Sequence, residues 1–177
     1  SYQDFEIIIV DNTNKQIEDV WSVYNNLIKF EHRIRIIKWH QPFNFHSVNN
    51  WAVNFAQGSV LCFLNNDIEV ISKDWIEQML SISLRKDVAF VGAKLLYPDK
   101  RIQHAGITIG KMGIAGHDFL YHPHDAPGYG GRLVHIRNVS AVTGACMMVR
   151  KDVFESLGGF DENYVLSYGD VDINISI

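Results

Sequence analysis

Three short polar stretches follow apolar runs in this chain, and each holds residue types that can do chemistry. The first is Asn65-Asn66-Asp67, directly after Val60-Leu61-Cys62-Phe63-Leu64. One carboxylate beside two amides can hold a hard divalent cation, which fills its shell with waters and a ligand's phosphates. An Asx turn leading to the next helix is the plainer alternative. The second is Asp11-Asn12, closing Ile7-Ile8-Ile9-Val10. Asp11 can accept hydrogen bonds from a base or ribose, or serve as a turn residue. The third is Gly169-Asp170-Val171-Asp172. Residues two apart on a helix do not share a face, so at most one carboxylate points into a given site. A general base needs only one. The alternative is an N-cap at Asp170, with Asp172 favouring the helix dipole.

Other groups point less clearly to chemistry. His117, His122 and His124 look metal-like by composition, but Pro123 splits them and no helical or finger spacing is present. A phosphate- or sugar-contacting loop, or a plain surface loop, fits them better. His104 is flanked by apolar and small residues and reads as structural. Cys62 and Cys146 each sit in an apolar stretch and read as buried thiols. No phosphate-cradling glycine loop and no nucleophile elbow are present.

The elements that must position these residues alternate. Strands are expected at Phe5 to Val10, Ile34 to Trp39, Val60 to Leu64 and Val88 to Val91. Helices are expected between them. One carries Ile17, Val20, Trp21, Tyr24, Leu27 and Ile28 on one face; the others run from Phe45 or His46 to Gln57 and from Lys73 to Leu84, capped by Ser72. Continuous apolar strands alternating with helices predict a mostly parallel sheet covered on both faces. Right-handed crossovers then gather the strand-to-helix turns on one edge, where ligands bind. Asp11 and Asp67 both fall there. Residues 98 to 138 are rich in Pro, Gly and His and read as loops, with short strands at Ile107-Thr108-Ile109 and Leu133 to Ile136. A strand from Ala141 to Val149 and a helix from Lys151 to Leu157 follow.

The 177 residues suit a single domain. A net charge of −4 without a basic block argues against nucleic acid. The longest apolar runs are far short of a membrane span. The first and last residues read as cuts in a longer pattern.

Taken in order, the motifs resemble the family 2 glycosyltransferases of the GT-A fold, in the branch of rhamnosyl- and other polysaccharide transferases. The matching stretches are Phe5 to Asn12, Asn44 to Asn50, Ala56 to Val70, Val91 to Asp99, Ile102 to Gly106, Ala141 to Met147, Gly158 to Glu162 and Gly169 to Asp172. The resemblance implies an inverting sugar transfer from a nucleotide-sugar donor to a saccharide or lipid-linked acceptor. It also implies Mg²⁺ or Mn²⁺, held by Asp67 of a DxD-like Asn65-Asn66-Asp67. Asn65 and Asn66 would then face the nucleotide sugar, and Asp11 the nucleobase. Asp170 matches the family's base, with Asp172 the second choice, and Gly158 to Asp161 would shape the acceptor side. Gly169 stands where the family has glutamate, Ser176 where it has arginine and Ala52 where glycine is common. The family's first strand would precede Ser1, leaving an open sheet edge at which a homodimer could form.

Two other readings compete. A degenerate, non-catalytic GT-A module would bind a nucleotide sugar or a partner, and Gly169 and Ser176 motivate it. A sugar-phosphate nucleotidyltransferase has a similar sheet, but its glycine-rich phosphate loop is missing here. The thiols, the lack of a signal pattern and the cytosolic supply of nucleotide sugars imply a cytoplasmic site, at the inner face of the membrane if other segments anchor it.

Overall fold

A computed structural model describes residues 2–13 and 18–177. The strands are β1 (Ile7–Asp11), β2 (Ile34–Lys38), β3 (Val60–Leu64), β4 (Phe90–Gly92), β5 (Leu95–Leu96), β6 (Ile102–His104), β7 (Ile107–Ile109), β8 (Ala115–His117) and β9 (Cys146–Arg150). The helices are α1 (Glu18–Phe30), α2 (Phe45–Val53), α3 (Trp75–Ser83), α4 (Lys151–Ser156) and α5 (Gly169–Ile175). The expected strand-helix alternation is therefore present in the first half. Leu133 to Ile136 forms no strand, and Ile17 lies outside the described residues.

The sheet differs from the expected mostly parallel one. β1 and β2 pair in parallel, but β9 runs antiparallel between β3 and β4. The described strands form four sheets rather than one: β5–β6 and β7–β8 are separate pairs, and the β1–β2 pair is not hydrogen-bonded as strands to the β3–β9–β4 sheet. Glu6 joins these last two, accepting from the backbone N–H groups of Gln57 and Gly58, just before β3. The starts of β1 and β3 are thereby held together.

Strand β9 is the centre of the core because both of its faces are covered. Met147 and Val149 face Val53 of α2, Phe154 of α4 and Ile173 of α5. Cys146 and Met148 face Met79 of α3. Side chains alternate across a strand, so one five-residue segment serves two helical layers. Helices therefore lie on both faces, as expected.

Two burial expectations are corrected. β3 is not continuously buried: Leu61 and Phe63 are, while Cys62 is exposed and Leu64 is 46% exposed. Helix α3 packs on β4 and β9, which leaves the outer row of β3 uncovered. On α1, Trp21, Leu27 and Ile28 are exposed. A two-stranded sheet is too narrow to cover that face.

Candidate active site

Asp170 lies in the first turn of α5, half-buried. Its Oδ2 accepts from the Gly144 N–H at 3.0 Å. Asn174, one helical turn on, donates to the Asp170 carbonyl at 2.7 Å and accepts from the Val142 N–H at 3.2 Å. The Gly144–Asp170 and Val142–Asn174 bonds fasten α5 to residues 142–144, the irregular stretch leading into β9. The adjacent Ala145 carbonyl accepts from the Asn65 N–H at 2.9 Å. A backbone bridge two residues long thus links Asp170 to the Asn65-Asn66-Asp67 turn. Asn66 and Asp67 are exposed there, and Asn65 is half-buried. Asp172, also half-buried, points elsewhere on α5, and its N–H completes the first turn to the Tyr168 carbonyl.

Asp11 ends β1 with its carboxylate 1% exposed. Lys38, opposite it on β2, donates from Nζ to Oδ2 at 2.6 Å, and the Thr13 N–H donates to Oδ1 at 2.9 Å. Burial alone would raise its pKa, but these donors outweigh burial and hold it below the usual carboxylate range. Lys38 also reaches the Thr13 carbonyl at 2.7 Å, so the pair shapes the turn after β1. The turn after β1 and the turn after β3 each follow a five-residue strand, and the starts of those strands are joined through Glu6.

The polar face of α2 builds the wall beside Asp170. Asn44 caps α2, accepting from the N–H groups of His46 and Ser47, and donates to the Glu162 carbonyl at 2.8 Å. Asn50 exchanges two bonds with Phe160, at 2.8 and 2.9 Å. Ser47 donates to Glu162 at 2.8 Å. Gly159 lies at φ +77, and a Cβ there would sit 2.7 Å from Asn50 Oδ1. Two of the motif stretches, Asn44 to Asn50 and Gly158 to Glu162, are therefore one clamp.

His104 and His117 are brought together by β6 and β8. Their Nδ1 atoms are 2.8 Å apart, and His104 is 1% exposed. Burial and then His117 push the His104 pKa down to about 3. His104 is thus structural, as expected. His122 and His124 do not join the pair, and among the described residues no group of three His, Cys, Asp or Glu side chains converges as a metal site.

Residues 1–158 match the family model described as "Glycosyl transferase family 2". The chain belongs to glycosyl transferase family 2. It is 38% identical over 177 residues to the protein y4gI of Sinorhizobium fredii, covering 99% of this chain and 19% of that one. It is 37% identical to the O-antigen biosynthesis protein RfbC of Myxococcus xanthus, over 99% of this chain and 14% of that protein. The chain therefore spans under a fifth of the length of either relative. The solved structure of GalNAc-T7 with UDP, GalNAc and Mn²⁺ superposes with a TM-score of 0.61 at 12% identity, covering 97% of this chain and 34% of that one. That likeness bears on fold, and the fold of this glycosyltransferase domain is GT-A.

The family match includes Asp11 and Asn65 to Asp67, while Asp170 and Asp172 lie beyond it. The structure explains one departure from the family pattern. A Cβ on Gly169 would lie 2.2 Å from His46 Nε2, so the buried imidazole fills the space a glutamate would need. The same ring reaches the Tyr164 carbonyl through Nδ1. His46 and Asn174 are the site residues that motif reading passed over. The one signal for Asn174 was its position four residues after Asp170, on the same helix face.

Proposed function

We propose that this domain moves a sugar from a nucleotide-sugar donor to a hydroxyl of a saccharide or lipid-linked acceptor, with inversion at the anomeric carbon. The observation that carries this is the 144–145 backbone, which binds the Asp170 carboxylate on one side and the Asn65-Asn66-Asp67 turn on the other. Donor and acceptor groups must meet within a few ångströms, and such a bridge fixes that spacing. Asp170 takes the acceptor proton as the acceptor oxygen attacks C1 and the bond from C1 to the departing diphosphate breaks. Asp172 is the second candidate for this role. One base and one face of attack suffice, so no covalent intermediate is needed.

Asn65 and Asn66 face the ribose or sugar. Asp11 serves the nucleobase through the turn it orders, since its own oxygens are engaged by Lys38 and Thr13. The oxygen donors of the Asn65 to Asp67 turn suit Mg²⁺ or Mn²⁺ completed by diphosphate and water. Held by Asp67, the ion would neutralise charge on the leaving nucleotide. The Mn²⁺ and UDP named with GalNAc-T7 support this donor class. The similarity to an O-antigen biosynthesis protein supports a cell-surface polysaccharide as product. A cytoplasmic site follows from the donor class. No helix among the described residues is long and apolar enough to cross a membrane. A homodimer would form at the free edge of β1 or β3.

The test is calorimetric titration of the full-length protein with UDP, GDP and dTDP, with and without Mn²⁺, beside a turnover assay with the matching nucleotide sugars. Metal-dependent binding of one nucleotide together with sugar transfer is expected. Binding without turnover would favour the non-catalytic module, which Gly169 motivates. No metal-dependent binding would overturn both.

A further inference from the structure

The His104–His117 pair is not used by the mechanism above, yet it stands beside its base. Strand β8 carries Ala115 and His117 on one face, and Ala115 packs against the cluster of Ile107, Ala141 and Val171, the last being the neighbour of Asp170 on α5. Ile107 pairs with His117 on one side and with Ala141 on the other, leading directly into the stretch that holds Asp170. The Asp170 carboxylate acts on the His117 ring, favouring its protonated form against burial, while its own oxygens accept from the Gly144 and Val171 N–H groups.

Hydrogen bonding fixes which proton His117 offers. The Gly106 N–H donates to His104 Nε2 at 3.2 Å, so the His104 proton must sit on Nδ1. That proton is donated to His117 Nδ1, which leaves the neutral His117 ring with its own proton on Nε2. Burial, opposed by Asp170 and assisted by Lys111, lowers the His117 pKa, which keeps the ring neutral. Among the described residues no side chain or carbonyl accepts from that Nε2–H.

We propose that an acceptor hydroxyl bridges Asp170 and His117, donating its proton to the carboxylate and accepting the His117 Nε2–H. His117 then aims the oxygen's remaining lone pair, and His104 is a positioning residue that fixes the tautomer. The ligand class is a sugar hydroxyl. This rests on the reading of Asp170 as the base.

The experiment compares the full-length protein with D170N, H117L and H117Q. Transfer from UDP-, GDP- and dTDP-sugars to water and to octyl glycosides of glucose, galactose, mannose and rhamnose is measured, with thermal melts as the folding control. H117L should lower kcat/KM for the acceptor about tenfold, the size of one lost hydrogen bond, and leave donor KM unchanged. H117Q, whose amide can donate from the Nε2 position, should recover most of it. Histidine ¹⁵N spectra of the unmodified protein should show the protons on His104 Nδ1 and His117 Nε2. If D170N is inactive and H117L matches the unmodified protein, the role of His117 is overturned and the base stands. Equal losses in H117L and H117Q, or an Nδ1 proton on His117, overturn it too. An active D170N, or no turnover with any donor, overturns the base and His117 together.

Discussion

At the residue scale the proposed function divides the chemistry between Asp170 and Asp67, and their surroundings predict different defects. Asp170 is held by the Gly144 N–H and by α5, so replacing it with Asn keeps the shape and removes the base. D170N should lower kcat by about 10²–10⁴ and leave the nucleotide Kd unchanged, measured by turnover and calorimetry. Asp67 is exposed on its turn and ties no element down. D67A should leave the melting temperature unchanged and weaken Mn²⁺-dependent nucleotide binding about 10–100-fold, the loss of one charge-assisted contact. Both aspartates were legible from residue type and from their place after an apolar run or near a motif. His46 and Asn174 were not, because nothing in their spacing shows which backbone they touch, and His117 was singled out only as one of a histidine set, without its partner His104.

At the element scale the site depends on how α5 is seated. It has only seven residues, follows Tyr168 at φ +68, and has no side-chain N-cap bond. Its hold comes from neighbours: Asn174 on the 142 backbone, Val171 against Ile107 and Ala141, and His46 against Gly169. G169A should overpack the His46 ring and cost about 1–3 kcal/mol in urea unfolding. In an H46A background the same substitution should cost much less, a coupling that a double-mutant cycle measures. Strand β9 is the other support. Met147 is fully buried between the α2, α4 and α5 layer and the strand itself. M147A should cost about 2–5 kcal/mol.

For the molecule as a whole, pH separates two sources of stability. His104 has its pKa lowered to about 3, while an unfolded histidine titrates near 6.5. The unfolded chain therefore binds this proton first, and stability falls as pH drops below about 6.5, by up to about 1.4 kcal/mol per unit, until about pH 3. Asp11 and Asp118 are also held below their ordinary 3.8, so their contribution is full above that value and is lost only at lower pH. Urea unfolding between pH 7 and 4 should show the first loss, and H104Q should flatten it. The sequence by itself determined the strand-helix alternation, the apolar stripe of α3, the turns after β1 and β3, and the family, because these rest on local periodicity and on ordered motifs. Only the tertiary structure decided that β9 lies antiparallel between β3 and β4, that Cys62 is exposed while Cys146 is buried, and that His46 occupies the space beside Gly169. Those outcomes depend on which distant segments pack together. Asp170 and Asn65 are 105 residues apart in the chain and are joined through the backbone of Gly144 and Ala145, a contact that neither local pattern contains.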